Sequence, residues 1–573
     1  MSLSEIIKLI PSQFKKQGIG VAFSVLTQAL LNFIGLAALF PILILLLDPQ
    51  GMDQYIILEK IRSLFGIDDY VSLVWVVCIS VFIIIIIKNI LNVLLGTFQI
   101  KYANLLYCFF SEKLYESYFH RGLQFVKESN TTSLSHKING ICFTFAHGIL
   151  SRFFSIVGET ILFILICSAL LIYSPSLALL AIFCFVPAGL FYYLIVKRSL
   201  ARYGKSENEF RRRQMRLVSE TFKGYVDVRI YNAFNMFLNK FKKNVSGISY
   251  YRERTNKLLF IPNGVIECAV AAVMILMVIL SREDATMKFS LGMFAVASFR
   301  LLPAVRNIVT GWAYLKSSSF AVEPIFELQK FEAFIKDEKP VDLNKNNNKN
   351  IQFDNQIKVD NISYFFMEKD GTNVPVIENL SMTILKGERL GIRGASGIGK
   401  TTLFNLLLGF YIPQKGSISI DDITLNKDNI SLWHANTAYV PQDVFILDGT
   451  IAENVAFGYD TFKIDRERVL NVINRTRLSD LVDSLPEGMD TQIGENGCRL
   501  SGGQRQRIGI ARALYKQAKV IFFDEATSSL DLLTEQEVVG TIIDLSSHNK
   551  ELTIIIITHR ESILNFCDRT IIL

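Results

Sequence analysis

The chain has 573 residues, half of them apolar and a fifth charged, with a formal net charge of +7. A single hydrophobic core seldom grows beyond ~250–300 residues, so two regions are expected. Several apolar runs before Phe320 are long enough to cross hydrocarbon and none after Asn350 is, which excludes both a wholly soluble enzyme and a wholly membranous channel.

In chain order, six membrane spans are predicted, at about residues 18–47, 71–97, 139–173, 177–196, 257–280 and 289–316. The first follows Lys8, Lys15 and Lys16, is too long for a signal-peptide core and lacks a small-residue cleavage site, so it is expected to stay in the mature protein. Between the first two spans, Tyr55, Ile56, Leu58, Ile61, Leu64 and Phe65 recur at helical spacing and predict a short external helix on the membrane surface. Apolar residues continue at helical spacing through Phe109, Leu114, Tyr118, Leu123 and Phe125. One helix from Tyr70 to Glu128 would be on the order of 90 Å long, most of it projecting into the cytoplasm.

Residues 197–257 hold 16 Lys and Arg against five Asp and Glu. Residues 48–70 carry Asp48, Asp53, Glu59, Asp68 and Asp69 against Lys60 and Arg62. The positive-inside rule therefore puts the first segment and both termini in the cytoplasm and the second segment outside. Arg211-Arg212-Arg213 and Lys242-Lys243 read as solvated helix faces near anionic headgroups, not as nucleic-acid sites. The eight cysteines are isolated, as expected of small buried hydrophobes in a reducing compartment.

Residues 331–350 are read as a linker, since 337–350 is too polar to pack, which leaves a membrane domain at 1–330 and a soluble domain at 351–573. In the latter, β-branched runs such as Val520–Phe523 and Ile554–Ile557 alternate with helical patterns and predict an α/β domain around a buried parallel sheet.

Three motifs there carry chemistry. Gly394-Ala395-Ser396-Gly397-Ile398-Gly399-Lys400-Thr401 follows a strand-like run and opens a helical stretch at Thr402. Such a loop turns its N–H groups toward phosphate oxygens, with Lys400 reaching the β- and γ-phosphates and Thr401 offering its hydroxyl to Mg²⁺. Val520-Ile521-Phe522-Phe523-Asp524-Glu525 is a buried strand ending in two carboxylates, costly unless one meets a metal and the other a water to be activated. Leu500-Ser501-Gly502-Gly503-Gln504 begins a second anion-binding helix, and one nucleotide cannot easily occupy both helix starts of a small domain.

In this order and spacing, and with His559 after the run Ile554–Thr558, these motifs resemble the ATP-binding cassette transporter family from about residue 355 to the end. Six spans with long cytoplasmic helices ahead of the cassette resemble its exporter type. The resemblance implies an all-α six-helix transmembrane domain fused to an α/β P-loop nucleotide-binding domain. It implies an ATPase coupled to transmembrane movement, using ATP and Mg²⁺, in a homodimer whose two identical sites both hydrolyse. By the same resemblance Phe366 stacks on adenine, although most relatives have Tyr there, and stacking on a base is worth ~1–3 kcal/mol in nucleic-acid systems. Gly394, Ser396, Gly397, Gly399, Lys400, Thr401 and Thr402 hold the phosphates, while Ser501, Gly503 and Gln504 close over the nucleotide of the other copy. Thr401, Gln442 and Asp524 meet Mg²⁺, and Gln442 also senses the γ-phosphate. Glu525 polarises the attacking water, His559 contacts the γ-phosphate, Asp531 lies in the loop after the catalytic strand, and Glu495 faces the partner's membrane helices. Relatives continue beyond Leu573 through a final strand and tail, so that part is expected to be short or missing. The compact half-transporter layout, with no organelle signal, points to a bacterial inner membrane.

The cargo has to be read from ionisable residues in the spans: Lys88, Arg152, Glu159, Glu267, Arg300 and Arg306. Arg300 and Arg306, ~600° apart around an ideal helix and separated by Pro303, could clasp a phosphate or pyrophosphate, or pair with Glu267, or snorkel to the cytoplasmic edge. The stretch Arg300 to Arg306, Ile261-Pro262 followed by Glu267, and the external helix resemble flippases of lipid-linked oligosaccharides, which implies an anionic lipid-linked glycan moved to the outer leaflet. Export of a peptide, drug or other lipid is the alternative, and an ATP-gated channel a more distant one.

Overall fold

Backbone polar groups in hydrocarbon must be satisfied within the segment, and the apolar runs of the first half are accordingly helical. The computed structural model describes residues 8–47, 59–60, 62–63, 66, 69–173, 175–280, 285–337, 351–367, 372–494, 497, 499–526 and 532–573. The chain divides into two units, Met1–Lys339 and Pro340–Leu573. The division falls inside the span expected as a linker.

The first unit contains α1 (Lys15–Ala37), α2 (Tyr70–His120), α3 (Ser151–Tyr173), α4 (Pro175–Lys223), α5 (Phe234–Leu280), α6 (Ala285–Ser317) and α7 (Glu323–Asp337). Among the described residues, five helical stretches are long and apolar enough to cross a membrane: Ser12–Leu46, Tyr70–His120, Thr131–Ile172, Phe234–Ile275 and Gly292–Ser317. The fourth expected span, 177–196, lies in α4, where several side chains fall outside the described residues. Most of the expected external helix also falls outside them.

Two helix boundaries depart from the sequence reading. Asp69 caps α2 by accepting from the Ser72 N–H at 3.2 Å, but the helix stops at His120 and a separate one covers Gly122–Glu128. Gly122 takes φ +84°, a left-handed conformation that glycine adopts without a Cβ penalty and that breaks the helical path. The helix is therefore ~77 Å long at 1.5 Å per residue, not 90 Å. At the other boundary, α7 runs past residue 331 to Asp337. Its Ile325 and Leu328 are buried in the cluster that holds Leu106, Phe110, Leu114 and Phe145, and this packing outweighs the polar composition that follows.

The cysteines are more varied than expected: Cys142 and Cys167 are buried, whereas Cys108 and Cys268 are exposed.

The second unit has two sheets. The expected parallel one has strand order β6 (Thr437–Val440), β7 (Val520–Asp524), β8 (Thr553–Ile557), β3 (Arg389–Arg393) and β9 (Arg569–Ile572). Every residue of β7 and β8 is buried, as near-continuous apolar runs in a covered parallel sheet should be. The other sheet, antiparallel and absent from the sequence reading, has the order β2 (Asn373–Leu385), β1 (Gln356–Met367), β4 (Lys415–Ile420) and β5 (Ile423–Thr424). Its strands have one wet face, and the interspersed polar residues hide them from a search for apolar runs.

Candidate functional site

In an open parallel sheet, ligands bind beyond the carboxyl ends of the strands. Here β3 leads into the glycine-rich loop, β7 ends in Asp524 and Glu525, β8 leads to Thr558 and His559, and β6 leads to Gln442. Since β6, β7, β8 and β3 are successive neighbours with paired register, motifs far apart in sequence share one edge.

The loop's shape depends on glycine at two positions. Gly397 has φ +83° and Gly399, the residue before α8 (Lys400–Leu407), has φ +110°. A Cβ at Gly399 would lie 2.9 Å from Val376 Cγ1 and 3.0 Å from the Val376 carbonyl oxygen. A left-handed conformation costs an ordinary residue ~1–2 kcal/mol before any clash is counted. Gly399→Ala is therefore expected to weaken ATP binding at least about 5–30-fold, as read by titration with a fluorescent ATP analogue, if that cost falls on the binding-competent loop.

Lys400 is 7% exposed and closely coordinated. Its Nζ donates to the carbonyl oxygens of Gly394 at 2.7 Å and Ala395 at 3.2 Å, and lies 3.1 Å from His559 Nε2. Lysine has only donors, so Nε2 is the acceptor in this contact. Glu525 Oε1 is 4.0 Å from Lys400 Nζ and 3.7 Å from His559 Nε2. The cation from the loop, the acid after β7 and the histidine after β8 thus meet in one cluster.

Glu525 has φ +48°, uncommon for a residue with a side chain, and its N–H donates to the Ile557 carbonyl at 3.0 Å. This bond to the adjacent strand end holds the residue in its sparsely populated conformation. The neighbouring Asp524 is 7% exposed, and burial raises its carboxyl pKa above the ordinary range while hydrogen bonds from Tyr439 and Thr401 oppose that shift. Asp524 and Thr401 offer hard oxygen donors at one point, a combination that suits Mg²⁺ completed by phosphate oxygens and water. No group of three or more His, Cys, Asp or Glu able to hold a metal is found among the described residues.

The remaining motif residues fall around this cluster or in separate elements. Thr402 is half-buried in the first turn of α8 and Ser396 is exposed on the loop. The backbone carbonyl of Gln442 accepts from Gln506 Nε2 at 2.6 Å. Ser501 caps α9 (Gly502–Lys516) in a reciprocal arrangement: its hydroxyl accepts from the Gln504 N–H at 3.2 Å and its own N–H donates to Gln504 Oε1 at 2.8 Å. Gly503 is buried in the first turn of that helix. Phe366, the penultimate residue of β1, lies beside an aromatic pair that sequence reasoning missed: Tyr364 and Tyr411 stack at 5.2 Å, and Phe366 meets both edge-on, at 5.2 and 5.9 Å. Asp531 and Glu495 lie outside the described residues.

In the first unit, one of the expected cargo residues meets a carboxylate other than the one weighed for it in sequence. Arg300 Nη2 lies 3.9 Å from Glu159 Oε2, and Asn307 Nδ2 donates to Glu159 Oε1 at 3.1 Å. Arg300 is thus matched by the carboxylate on α3, not by Glu267. Glu267 is exposed on α5, Arg306 is half-buried on α6, and neither has an ion pair among the described residues. Lys88 on α2 is within electrostatic reach of Arg300, and its Cδ would lie 2.6 Å from a Cβ at Gly35 on α1. Glu159 is already among the ionisable span residues in sequence, but only interhelix packing shows which cation it meets.

Comparison with known proteins agrees with this architecture. The family model of the ABC transporter transmembrane region matches residues 54–301, and that of the ABC transporter matches 377–528. A protein of Burkholderia pseudomallei named ATP-dependent lipid A-core flippase is 30% identical over 387 residues, 66% of this chain and 62% of that protein. A Bordetella avium protein of the same name is 41% identical over 218 residues, 38% of this chain and 36% of its own length. The chain thus spans less than two thirds of the length of these relatives. Among solved structures, a bacterial Atm1-family ABC exporter with ATP bound has the same fold, with a TM-score of 0.77 at 20% identity over 98% of this chain and 94% of that one.

Proposed function

This chain belongs to the ATP-binding cassette transporters, and from that premise we propose that it is one half of a homodimeric ATP-driven translocase that flips a lipid across a bacterial inner membrane. The proposed cargo is a lipid-linked oligosaccharide, and both termini lie in the cytoplasm. The observation that carries the ATPase part is the meeting of Lys400, Glu525 and His559 at the carboxyl ends of adjacent strands.

Each group has a task that its position favours. Phe366 stacks on adenine, with Tyr364 and Tyr411 behind it. Lys400 and the N–H groups from Gly394 to Thr402 hold the phosphates. Thr401, Asp524 and Gln442 hold Mg²⁺, which when bound offsets charge on the phosphate oxygens. Glu525 orients and activates the attacking water, and His559 hydrogen-bonds the γ-phosphate. The chain has one phosphate loop and one Ser501-Gly502-Gly503-Gln504 helix start, and the first N–H groups of a helix have no acceptor within the helix itself. Two copies let the helix start of one close over the nucleotide of the other. Tighter binding of ATP to the closed form then drives the cavity outward, and hydrolysis resets it.

A lipid cargo is supported by the relatives named lipid A-core flippases. A glycan cannot enter hydrocarbon without losing its hydrogen bonds. Arg300, Lys88, Glu159 and Asn307 supply polar and cationic partners on three helices of the membrane unit, and Arg306 and Glu267 offer further charge on α6 and α5.

The test is translocation in proteoliposomes of a labelled polyprenyl-pyrophosphate oligosaccharide, with lipid A-core in a parallel set and Glu525→Gln as the inactive control. ATP-dependent movement of the oligosaccharide by the wild type alone is expected. Arg300→Ala should slow it by about 10-fold or more, the loss of one charge-assisted bond, while basal ATP turnover persists. Movement of lipid A-core only would reassign the cargo. ATP hydrolysis with neither lipid moved would favour peptide or drug export.

A further inference from the structure

Asp524 is a buried carboxylate, and the torsion that turns its two oxygens is soft, so hydrogen-bond donors set their orientation. One donor is Thr401, whose hydroxyl is itself assigned above to the cation. The other is Tyr439, whose hydroxyl donates to Asp524 Oδ2 at 3.0 Å. This tyrosine stands on β6, paired in register with Phe522 of β7, so its reach to the end of β7 follows from the strand alignment. The end of β6 is also fixed: Gln506 Nε2, on α9, donates to the carbonyls of Pro441 at 3.2 Å and Gln442 at 2.6 Å. The Tyr439 ring is not part of the sheet's core. It is 39% exposed and forms part of the wall of a cavity of about 680 Å³, with Phe410, Phe445, Phe457 and Tyr459. Packing of the ring in the core therefore does not account for a tyrosine here, whereas the hydroxyl has a defined partner.

We infer that Tyr439 is a positioning residue of the nucleotide site: its hydroxyl holds Asp524 in the orientation needed to ligate a divalent cation after the Thr401 hydroxyl has turned to the same ion. The inference rests on the cation site proposed above. It assigns a task to a residue outside the phosphate loop, the signature helix and the strand-end acids. Hydrogen-bond partners of metal ligands typically contribute 10–100-fold to metal affinity.

The experiment uses the purified full chain with a non-hydrolysable ATP analogue and Mn²⁺ as the spectroscopic probe, free Mn²⁺ being counted by electron paramagnetic resonance. Tyr439→Phe keeps the ring and removes the hydroxyl. It is expected to weaken Mn²⁺ binding about 10-fold, with analogue affinity in EDTA and the melting temperature unchanged. The Mg²⁺ concentration for half-maximal ATP turnover should rise by a similar factor, and kcat at saturating Mg²⁺ should return to within about twofold of wild type. Equal Mn²⁺ affinity in the two proteins would overturn the inference, as would a parallel loss of analogue affinity in EDTA, which marks a general structural defect. If the wild type itself binds no Mn²⁺ with the analogue, the cation site proposed above fails, and this inference falls with it.

Discussion

Glu525→Gln is expected to lower ATP turnover by about 10²–10⁴-fold while leaving ATP binding near its wild-type value, because it removes a general base without changing side-chain size. The geometry supports so specific a loss. Glu525 stands at the end of β7 with φ +48°, and a backbone hydrogen bond to Ile557 holds it there whatever its side chain is. The amide thus occupies the place of the carboxylate but cannot accept the proton of a water. Burial is the main cause of the raised Asp524 carboxyl pKa, and removing the Glu525 charge relieves the smaller coulombic repulsion that adds to it. Phosphate release measures the first effect, and equilibrium titration with a fluorescent ATP analogue measures retained binding. Turnover within tenfold of wild type would remove Glu525 from the role of base and turn attention to His559.

The motifs of the candidate nucleotide site were legible in sequence because the chemistry proposed for them restricts residue type at each position. A phosphate loop needs glycine where φ is positive, and Gly397 and Gly399 have that conformation. A buried strand tolerates two terminal acids only for a reason, and Asp524 and Glu525 fall at the sheet edge beside Lys400 and His559. What escaped was set by packing between distant segments. Glu159 and Asn307 are 148 residues apart, and no periodicity along either helix specifies that they meet. Tyr439 reads as an ordinary strand former until its hydroxyl is found against Asp524. Tyr411, far from Phe366 in sequence, becomes its neighbour only through the antiparallel sheet, whose half-wet strands lack the apolar runs by which β7 and β8 were recognised. The break of α2 shows the converse: the hydrophobic spacing through Phe125 is real, but a single left-handed glycine at 122 ends the helix.

Lys400→Ala should produce the largest loss of ATP affinity. The ammonium is buried yet stabilised, with two loop carbonyls at 2.7 and 3.2 Å, the His559 ring at 3.1 Å and the Glu525 carboxylate at 4.0 Å. A buried charge held in this way has already lost much of its hydration, so bonds to phosphate oxygens do not carry the full desolvation cost of an exposed lysine. A hydrogen bond to a charged group contributes ~1.5–3 kcal/mol, and losing one corresponds to a fall in affinity of about 10–150-fold. Arginine should rescue poorly, because a planar guanidinium does not fit between the Gly394 and Ala395 carbonyls as a compact ammonium does. The alanine variant also leaves those carbonyls and Glu525 without their cation, so a small drop in the melting temperature of the ligand-free protein is expected. ATP affinity within threefold of wild type, measured at equilibrium with and without Mg²⁺, would show that backbone N–H groups alone hold the phosphates and that Lys400 serves chiefly to tie the loop to His559.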